Sequence, residues 1–106
     1  MALQRQNKWI VTITDRAALE EAFLPFLING GLFIPVEDPP ELGAEVFLMV
    51  HLLDEPTVYP VTAKVAWLEP GSGGIRRPGG MGIHFLDRQN PLLKRIQSYI
   101  NLPGKA

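Results

Sequence analysis

The sequence predicts a small, all-β, antiparallel barrel that carries an amphipathic helix at its C-terminal end. Three observations support this fold class: five short apolar segments, dense turn signals with ten glycines and ten prolines, and one apolar stripe at helical spacing near the end of the chain. Short strands joined by turns are typical of small barrels. With 106 residues, the chain is long enough for one domain and too short for two.

The first segments predict a strand followed by a short helix. Residues 9–14 alternate between apolar and polar side chains, which indicates a strand with one buried face. Thr14 or Asp15 would then cap a short helix near residues 15–24, because both side chains can accept a hydrogen bond from a free backbone amide. Pro25 would stop that helix.

Two further strands follow a glycine turn. Residues 29–31 contain two glycines, which supply the positive φ angles of a tight turn, and residues 32–36 then read as a strand. Pro35 cannot donate a ladder hydrogen bond, so this strand ends there or lies at an edge of the sheet. Residues 45–53 are almost continuously apolar and predict a strand buried on much of both faces.

The most regular alternation in the chain lies at residues 58–69. Its apolar side chains are predicted to point one way: Tyr59, Val61, Ala63, Val65 and Trp67. A loop at residues 70–80 separates this strand from the last one. In that last strand Met81, Ile83 and Phe85 alternate with small or polar residues, which again predicts one buried face.

The C-terminal helix has a recognisable start and an apolar stripe. Asn90 is a favourable N-cap, and Pro91 occupies the first helical position that proline favours. The stripe consists of Leu92, Leu93, Ile96, Tyr99 and Ile100. We therefore expect a single domain over residues 9–102, between a flexible N-terminal segment at residues 1–8 and a tail at residues 103–106.

Charge and composition argue against several classes of protein. The net charge is −1, but residues 1–60 hold nine acids and three bases whereas residues 61–106 hold two acids and seven bases. A pI of about 6.1 argues against a nucleic-acid binder, which would need a basic face with exposed aromatic side chains. The absence of cysteine excludes disulfides, thiolate zinc sites and cysteine nucleophiles. No segment reads as a signal peptide or a membrane span, so we expect a cytoplasmic protein.

No group of residues predicts catalysis, a metal site or a cofactor site. His51 and His84 each lie within an apolar strand, where a structural or surface role is favoured over metal binding or general-base catalysis. Ser72 and Ser98 do not lie in the turn pattern that activates a serine nucleophile. We therefore expect a non-enzymatic protein that uses no cofactor.

Two segments are candidates for contact with a partner. The glycine-rich residues 71–80 carry two arginines and could cradle an anion, but they lack the lysine and hydroxyl of a P-loop. They also fit a flexible solvated loop or an arginine-bearing contact loop. The apolar run at residues 23–28 is too dense to be hidden completely, so it is either core or partly an exposed patch. The candidate contact residues are Phe23, Phe26, Ile28, Arg76 and Arg77.

Four motifs, taken together in order and spacing, resemble the PilZ domain family. They lie at residues 29–35 (NGGLFIP), 42–47 (LGAEVF), 61–67 (VTAKVAW) and 80–85 (GMGIHF). The resemblance covers about residues 9–100. It implies a six-stranded β-barrel, and in most members of the family it implies binding of the bacterial second messenger cyclic di-GMP.

The sequence departs from the family at both motifs that bind the dinucleotide. The first motif is Arg-x-x-x-Arg, but here Arg5 is followed four positions later by Trp9. The second is Asp/Asn-x-Ser-x-x-Gly; counting back from Gly31, its two polar positions hold Phe26 and Ile28. Each lost charged hydrogen bond is worth roughly 1.5–3 kcal/mol, so we expect no binding of cyclic di-GMP by this chain alone.

These departures are similar to one subfamily, the type IV pilus assembly proteins that lack the cyclic di-GMP motifs. The resemblance implies an adaptor in pilus biogenesis and twitching motility, and we expect the protein to be a monomer. The adaptor would link the pilus-extension ATPase to a degenerate EAL-domain signalling protein, which binds the messenger instead. One alternative stays open, namely a direct cyclic di-GMP receptor that uses Arg5, Lys8, Arg76 and Arg77 in a non-standard site.

Overall fold

Five strands and two helices form the described part of the chain. The structure, a computed structural model, describes residues 8–70 and 79–100. In chain order the elements are β1 (Lys8–Ile13), α1 (Arg16–Ala22), β2 (Gly31–Pro35), β3 (Glu45–Leu52), β4 (Val58–Glu69), β5 (Gly80–Phe85) and α2 (Pro91–Tyr99). Apart from Lys8, which begins β1, the predicted terminal segments at residues 1–8 and 103–106 lie outside the described residues.

The strands form one curled sheet, a half-barrel with the strand order β1-β3-β4-β5-β2. The count of six strands that the family resemblance implies is therefore wrong, since the described residues contain five, the number that the sequence pattern predicts. β1 and β2 form the two edges of this sheet, and within the described residues no strand joins them. The prediction that Pro35 places its strand at an edge is confirmed.

The expectation of a wholly antiparallel sheet is also wrong, because β1 runs parallel to β3. Lys8 lies opposite Phe47 and Ile13 lies opposite Leu52. A parallel pair requires a long crossover, which residues 14–44 supply with α1 and β2. β2 then pairs antiparallel with β5 at the far side of the sheet.

Alternation along the strands directs one set of side chains into a single core. In β5, Met81, Ile83 and Phe85 are fully buried, as predicted. β3 was expected to be buried on much of both faces, but only its inward residues are buried: Val46, Leu48, Val50 and Leu52. Of its outward residues, Phe47 is exposed and Met49 is half-buried. β3 therefore has one buried face and one face toward solvent, although nearly all of its residues are apolar.

Both helices begin at the residues that the sequence predicts. The Asp15 side chain accepts a hydrogen bond from the amide of Ala18 at 2.8 Å, and the Asn90 side chain accepts one from the amide of Leu93 at 2.7 Å. In α2 the residues Leu92 and Ile96 are fully buried, and the other stripe residues are partly buried. No helix in the described ranges has the length and apolarity that a membrane crossing requires.

A cluster around Glu55 attaches α2 to the turn between β3 and β4. The Glu55 carboxylate accepts hydrogen bonds from the hydroxyls of Tyr59, at 2.6 Å, and Tyr99. It also pairs with the Arg95 guanidinium at 2.8 Å. The Tyr59 hydrogen bond, followed by those from Tyr99 and Arg95, lowers the pKa of Glu55. The same hydrogen bonds raise the pKa of Tyr59 and of Tyr99.

Candidate functional site

A bulge in β4 moves Trp67 to the outer face of the sheet. The register shifts between Val65 and Trp67, so that Val65 pairs with Ile83 but Trp67 pairs with Gly82. The indole lies over Gly82, because a Cβ added there would be 2.6 Å from indole atoms. The prediction that Trp67 shares the inward face of its strand is therefore wrong, since the bulge reverses the alternation at that point.

Phe26 stacks on this outward-facing indole. The centroids of the Phe26 and Trp67 rings are 6.0 Å apart, and the ring planes differ by 25°. Phe26 nevertheless stays 70% exposed. Ile28, two residues further along the same turn, is 75% exposed. We call Phe26, Ile28 and Trp67 the aromatic surface.

Backbone and side-chain hydrogen bonds hold the turn that carries Phe26 and Ile28. The amide of Leu24 donates to the carbonyl of Gly31 at 2.9 Å, which ties the start of the turn to β2. The Asn29 side chain donates to the carbonyls of Phe85 at 3.1 Å and Leu86 at 3.3 Å, and its own backbone amide donates to Nε2 of His84 at 3.2 Å. Phe26 and Ile28 therefore lie on a turn that is hydrogen-bonded to β2 and to the end of β5.

His84 and Asn29 serve this anchoring. His84 accepts the backbone hydrogen bond of Asn29 and lies opposite Lys64 in the sheet. This hydrogen bond gives His84 a structural contact. Asn29 was read only as a turn residue, and its side-chain contacts with the end of β5 could not be read from local pattern.

Two of the three arginines in the described ranges already have a partner within the domain. Of the arginines in the described ranges, Arg16 donates to the carbonyl of Tyr99 at 3.1 Å and Arg95 pairs with Glu55. Arg88 lies in the connection between β5 and α2. Arg76 and Arg77, predicted to contact a partner, lie outside the described residues.

Phe23 occupies a different environment from the other two candidates in its run. It forms an isolated bridge with Leu32 and is half-buried against the core. A Cβ at Gly30 would be 3.5 Å from its ring and 3.6 Å from that of Phe85. The run therefore divides, with Phe23 packed inward while Phe26 and Ile28 face solvent.

Comparison with known families identifies the domain. The model of the PilZ domain matches residues 8–102, nearly the whole chain. The chain belongs to the PilZ domain family. PilZ domains are generally non-catalytic binding domains, and membership indicates a role related to cyclic di-GMP, as an adaptor or as a receptor. Among curated proteins, none shows significant similarity to the chain.

Proposed function

We propose that this PilZ domain is a non-enzymatic adaptor in type IV pilus biogenesis. It binds the pilus-extension ATPase and a degenerate EAL-domain signalling protein, and it does not itself bind cyclic di-GMP. One observation carries the proposal: Phe26 and Ile28 occupy the polar positions of the family's dinucleotide motif, and both are solvent-exposed.

We expect no dinucleotide binding because the phosphates of cyclic di-GMP would lose their water without gaining charged hydrogen bonds from the protein. Cyclic di-GMP carries two phosphate charges, and burying them requires charged hydrogen-bond donors such as bidentate arginines. Phenyl, butyl and indole groups supply none. At roughly 1.5–3 kcal/mol for each missing charged hydrogen bond, the loss of two or three weakens binding by several orders of magnitude.

The apolar residues at the two motif positions, Phe26 and Ile28, also favour binding to a protein. Exposed aromatic side chains supply large contact areas, and tryptophan and other aromatics are common among the residues that dominate interface energies. Phe26 is prepositioned by its stack on Trp67, so it loses little conformational freedom on binding. This surface fits a partner with an apolar pocket.

Binding measurements on purified proteins test the proposal. Phe26→Asp is compared with Ile10→Asp, because Ile10 is 72% exposed but lies on the edge strand β1, which β3 separates from the strand β4 that carries Trp67. We expect Phe26→Asp to weaken binding to the ATPase or to the EAL-domain protein by about 30-fold or more, the effect of a hot-spot residue. Ile10→Asp should leave the affinity for that partner unchanged.

Two outcomes would contradict different parts of the proposal. If the folded Phe26→Asp protein binds both partners as the wild type does, the aromatic surface is not the interface. If the wild type binds neither partner, the adaptor role is wrong. Phe23→Asp is a weaker test, because that side chain packs against the core and its replacement also destabilises the fold.

The second candidate function is a direct cyclic di-GMP receptor, which family membership favours. Such a receptor would use Arg5, Lys8, Arg76 and Arg77. Of these, Lys8 lies within the described residues, with its ammonium 5.8 Å from the centre of the Phe47 ring. Calorimetric titration of the full chain with cyclic di-GMP separates the two functions, because micromolar or tighter binding favours the receptor and contradicts the adaptor proposal as stated.

A further inference from the structure

His84 joins the last strand of the sheet to the turn that carries Phe26 and Ile28. Its neighbours Ile83 and Phe85 are fully buried, so by alternation the His84 side chain lies on the outer face of β5, where it is half-buried. Its Nε2 accepts a hydrogen bond from the backbone amide of Asn29 at 3.2 Å. Asn29 directly follows Ile28, so this hydrogen bond holds the chain next to an exposed residue of the aromatic surface.

This hydrogen bond requires the neutral form of the His84 ring. A neutral imidazole carries one proton, so acceptance at Nε2 places that proton on Nδ1. The protonated ring carries N–H groups at both nitrogens and can accept no hydrogen bond. Protonation of His84 therefore removes the acceptor of the Asn29 amide and turns two N–H groups toward each other.

The residues on either side of His84 would not compensate for a positive charge on its ring. Lys64 of β4 lies opposite His84 and is exposed. On the other side Gly31 of β2 lies opposite it, and neither β2 nor the turn at residues 24–30 contains a titratable residue. Glu45 of β3 lies opposite Lys64, one strand further from the ring. The next charged residues along the chain are Asp87 and Arg88. A charge on His84 therefore meets a like charge across the β4–β5 pair and gains no carboxylate from β2 or from the turn.

We propose that His84 is a pH-sensitive switch for the aromatic surface. Its protonation loosens the turn that carries Phe26 and Ile28, and so weakens the binding of a partner there. Histidine is the side chain whose charge ordinarily changes between about pH 5 and about pH 8, and such changes can reorganise interfaces. The effect on partner binding rests on the proposed function, whereas the loosening of the turn does not.

Other contacts keep the turn in place when this hydrogen bond is lost. The Asn29 side chain still donates to the carbonyls of Phe85 and Leu86, and the amide of Leu24 still donates to the carbonyl of Gly31. The switch therefore changes the order of the turn without releasing it. Because one hydrogen bond makes a modest net contribution, we expect the local opening of the turn to increase by about threefold to tenfold.

Hydrogen exchange of the Asn29 amide tests the switch on the full chain. The exchange rate is compared with that of an unstructured peptide at the same pH, which removes the chemical effect of pH on exchange. We expect the protection of the Asn29 amide to fall about threefold to tenfold between about pH 7.5 and about pH 5. In NMR spectra of the same samples, the fall should follow the titration of the His84 ring and not that of His51. Unchanged protection, or a fall that follows His51, would overturn the proposal.

Two replacements of His84 separate the charge of the ring from its shape. Glutamine has an acceptor oxygen and does not titrate, so His84→Gln should protect the Asn29 amide equally at both pH values. Lysine has donors only, so His84→Lys should show low protection at both. His51→Gln is the matched control, because His51 is a half-buried histidine of β3, and it should keep the wild-type pH dependence. A pH dependence of wild-type size in His84→Gln would overturn the proposal. If neither His84 variant folds, the measurement on the wild type decides.

Partner binding at the two pH values tests the consequence for the aromatic surface. The affinity of the wild type for the ATPase or for the EAL-domain protein should fall about threefold to tenfold more than that of His84→Gln, which controls for titration of the partner. Equal falls in the two proteins would overturn the control of binding by His84. If the wild type binds neither partner at either pH, the proposed function is wrong, and the exchange of the Asn29 amide still decides whether His84 controls the turn.

Discussion

The indole of Trp67 lies directly over Gly82, its partner across the β4–β5 pair. The space that a side chain at Gly82 would occupy is filled by the ring of its neighbour. The β4 bulge produces this arrangement, because without it Trp67 would continue the inward face of Val61, Ala63 and Val65. Trp67 and Gly82 therefore form one packing unit, to which the Phe26 stack adds an exposed layer.

Gly82→Ala should lower the free energy of unfolding by about 1–3 kcal/mol, the usual cost of overpacking a close contact. The added Cβ would lie 2.6 Å from indole atoms, so the ring must move. Urea unfolding followed by circular dichroism measures the loss of stability. A change in tryptophan fluorescence of the folded protein reports the displacement of the indole.

The matched control for this prediction is a double-mutant cycle with Trp67→Ala. If the cost of Gly82→Ala comes from the ring, it should fall by at least about 0.5 kcal/mol when Trp67 is absent. An unchanged cost in that background would mean that Gly82 is required for another reason. Partner binding should fall in Trp67→Ala as well, since Phe26 loses the surface on which it stacks.

Asn29→Ala should destabilise the domain by about 1–2 kcal/mol, because its side chain donates two hydrogen bonds to the end of β5. It should also weaken binding at the aromatic surface, although Asn29 need not touch the partner. Hydrogen exchange of the amides at residues 24–30 measures the loosening of the turn. Gln97→Ala, on the exposed face of α2, is the control and should change neither quantity. Unaltered exchange in Asn29→Ala would show that the turn is held by other contacts.

Local pattern predicted the elements of this fold but not all of their pairings. The alternation of Met81, Ile83 and Phe85 was sufficient to place them in the core, since β5 is regular and central. Pro35 correctly indicated an edge, because the missing amide is a property of one residue. The five strands are those that local pattern predicts, and the count of six came from the family resemblance. The parallel pairing of β1 with β3 depends on contacts between distant segments, which no window of sequence contains.

The exposure of two candidate contact residues could also be predicted from the sequence, whereas the position of Trp67 could not. Phe26 and Ile28 stood out because an apolar run replaced polar motif positions, and both are exposed. Trp67 was assigned to the inner face, because a bulge depends on how β4 pairs with β5 and not on the alternation within β4. Only the pairing of Trp67 with a glycine, read across two strands, could have shown that the ring lies outside.

Asn90→Ala should lower the free energy of unfolding by about 1 kcal/mol, the typical effect of removing a helix N-cap. The Asn90 side chain accepts from the amide of Leu93 and donates to the carbonyl of Asp87 at 2.6 Å, so both contacts are lost. Ser98→Ala is the control, because Ser98 donates to the carbonyl of Arg95 on the exposed face of the same helix. Equal stability losses in the two variants would contradict a special role of the cap.

The Glu55 cluster should make the stability of the domain depend on pH. The hydrogen bonds from Tyr59 and Tyr99 and the Arg95 pair hold the pKa of Glu55 below its ordinary value of 4.5. A carboxyl whose pKa is lowered on folding contributes stability above its unfolded-state value and loses it as the pH falls through the folded-state value. For Tyr59 and Tyr99 the pKa is raised, so their contribution is complete below their ordinary value of 10.0 and is lost only at higher pH.

Glu55→Gln should therefore destabilise the domain most at neutral pH and least in acid. The glutamine cannot carry the charge that pairs with Arg95, whereas the wild-type carboxyl loses that charge on protonation. Urea unfolding of both proteins between about pH 3 and about pH 7 should show a difference in stability that shrinks as the pH falls below the ordinary pKa of the carboxyl. Glu20→Gln, at an exposed position on α1, should track the wild type at every pH. A constant difference between Glu55→Gln and the wild type would mean that shape, and not charge, holds α2 to the turn between β3 and β4.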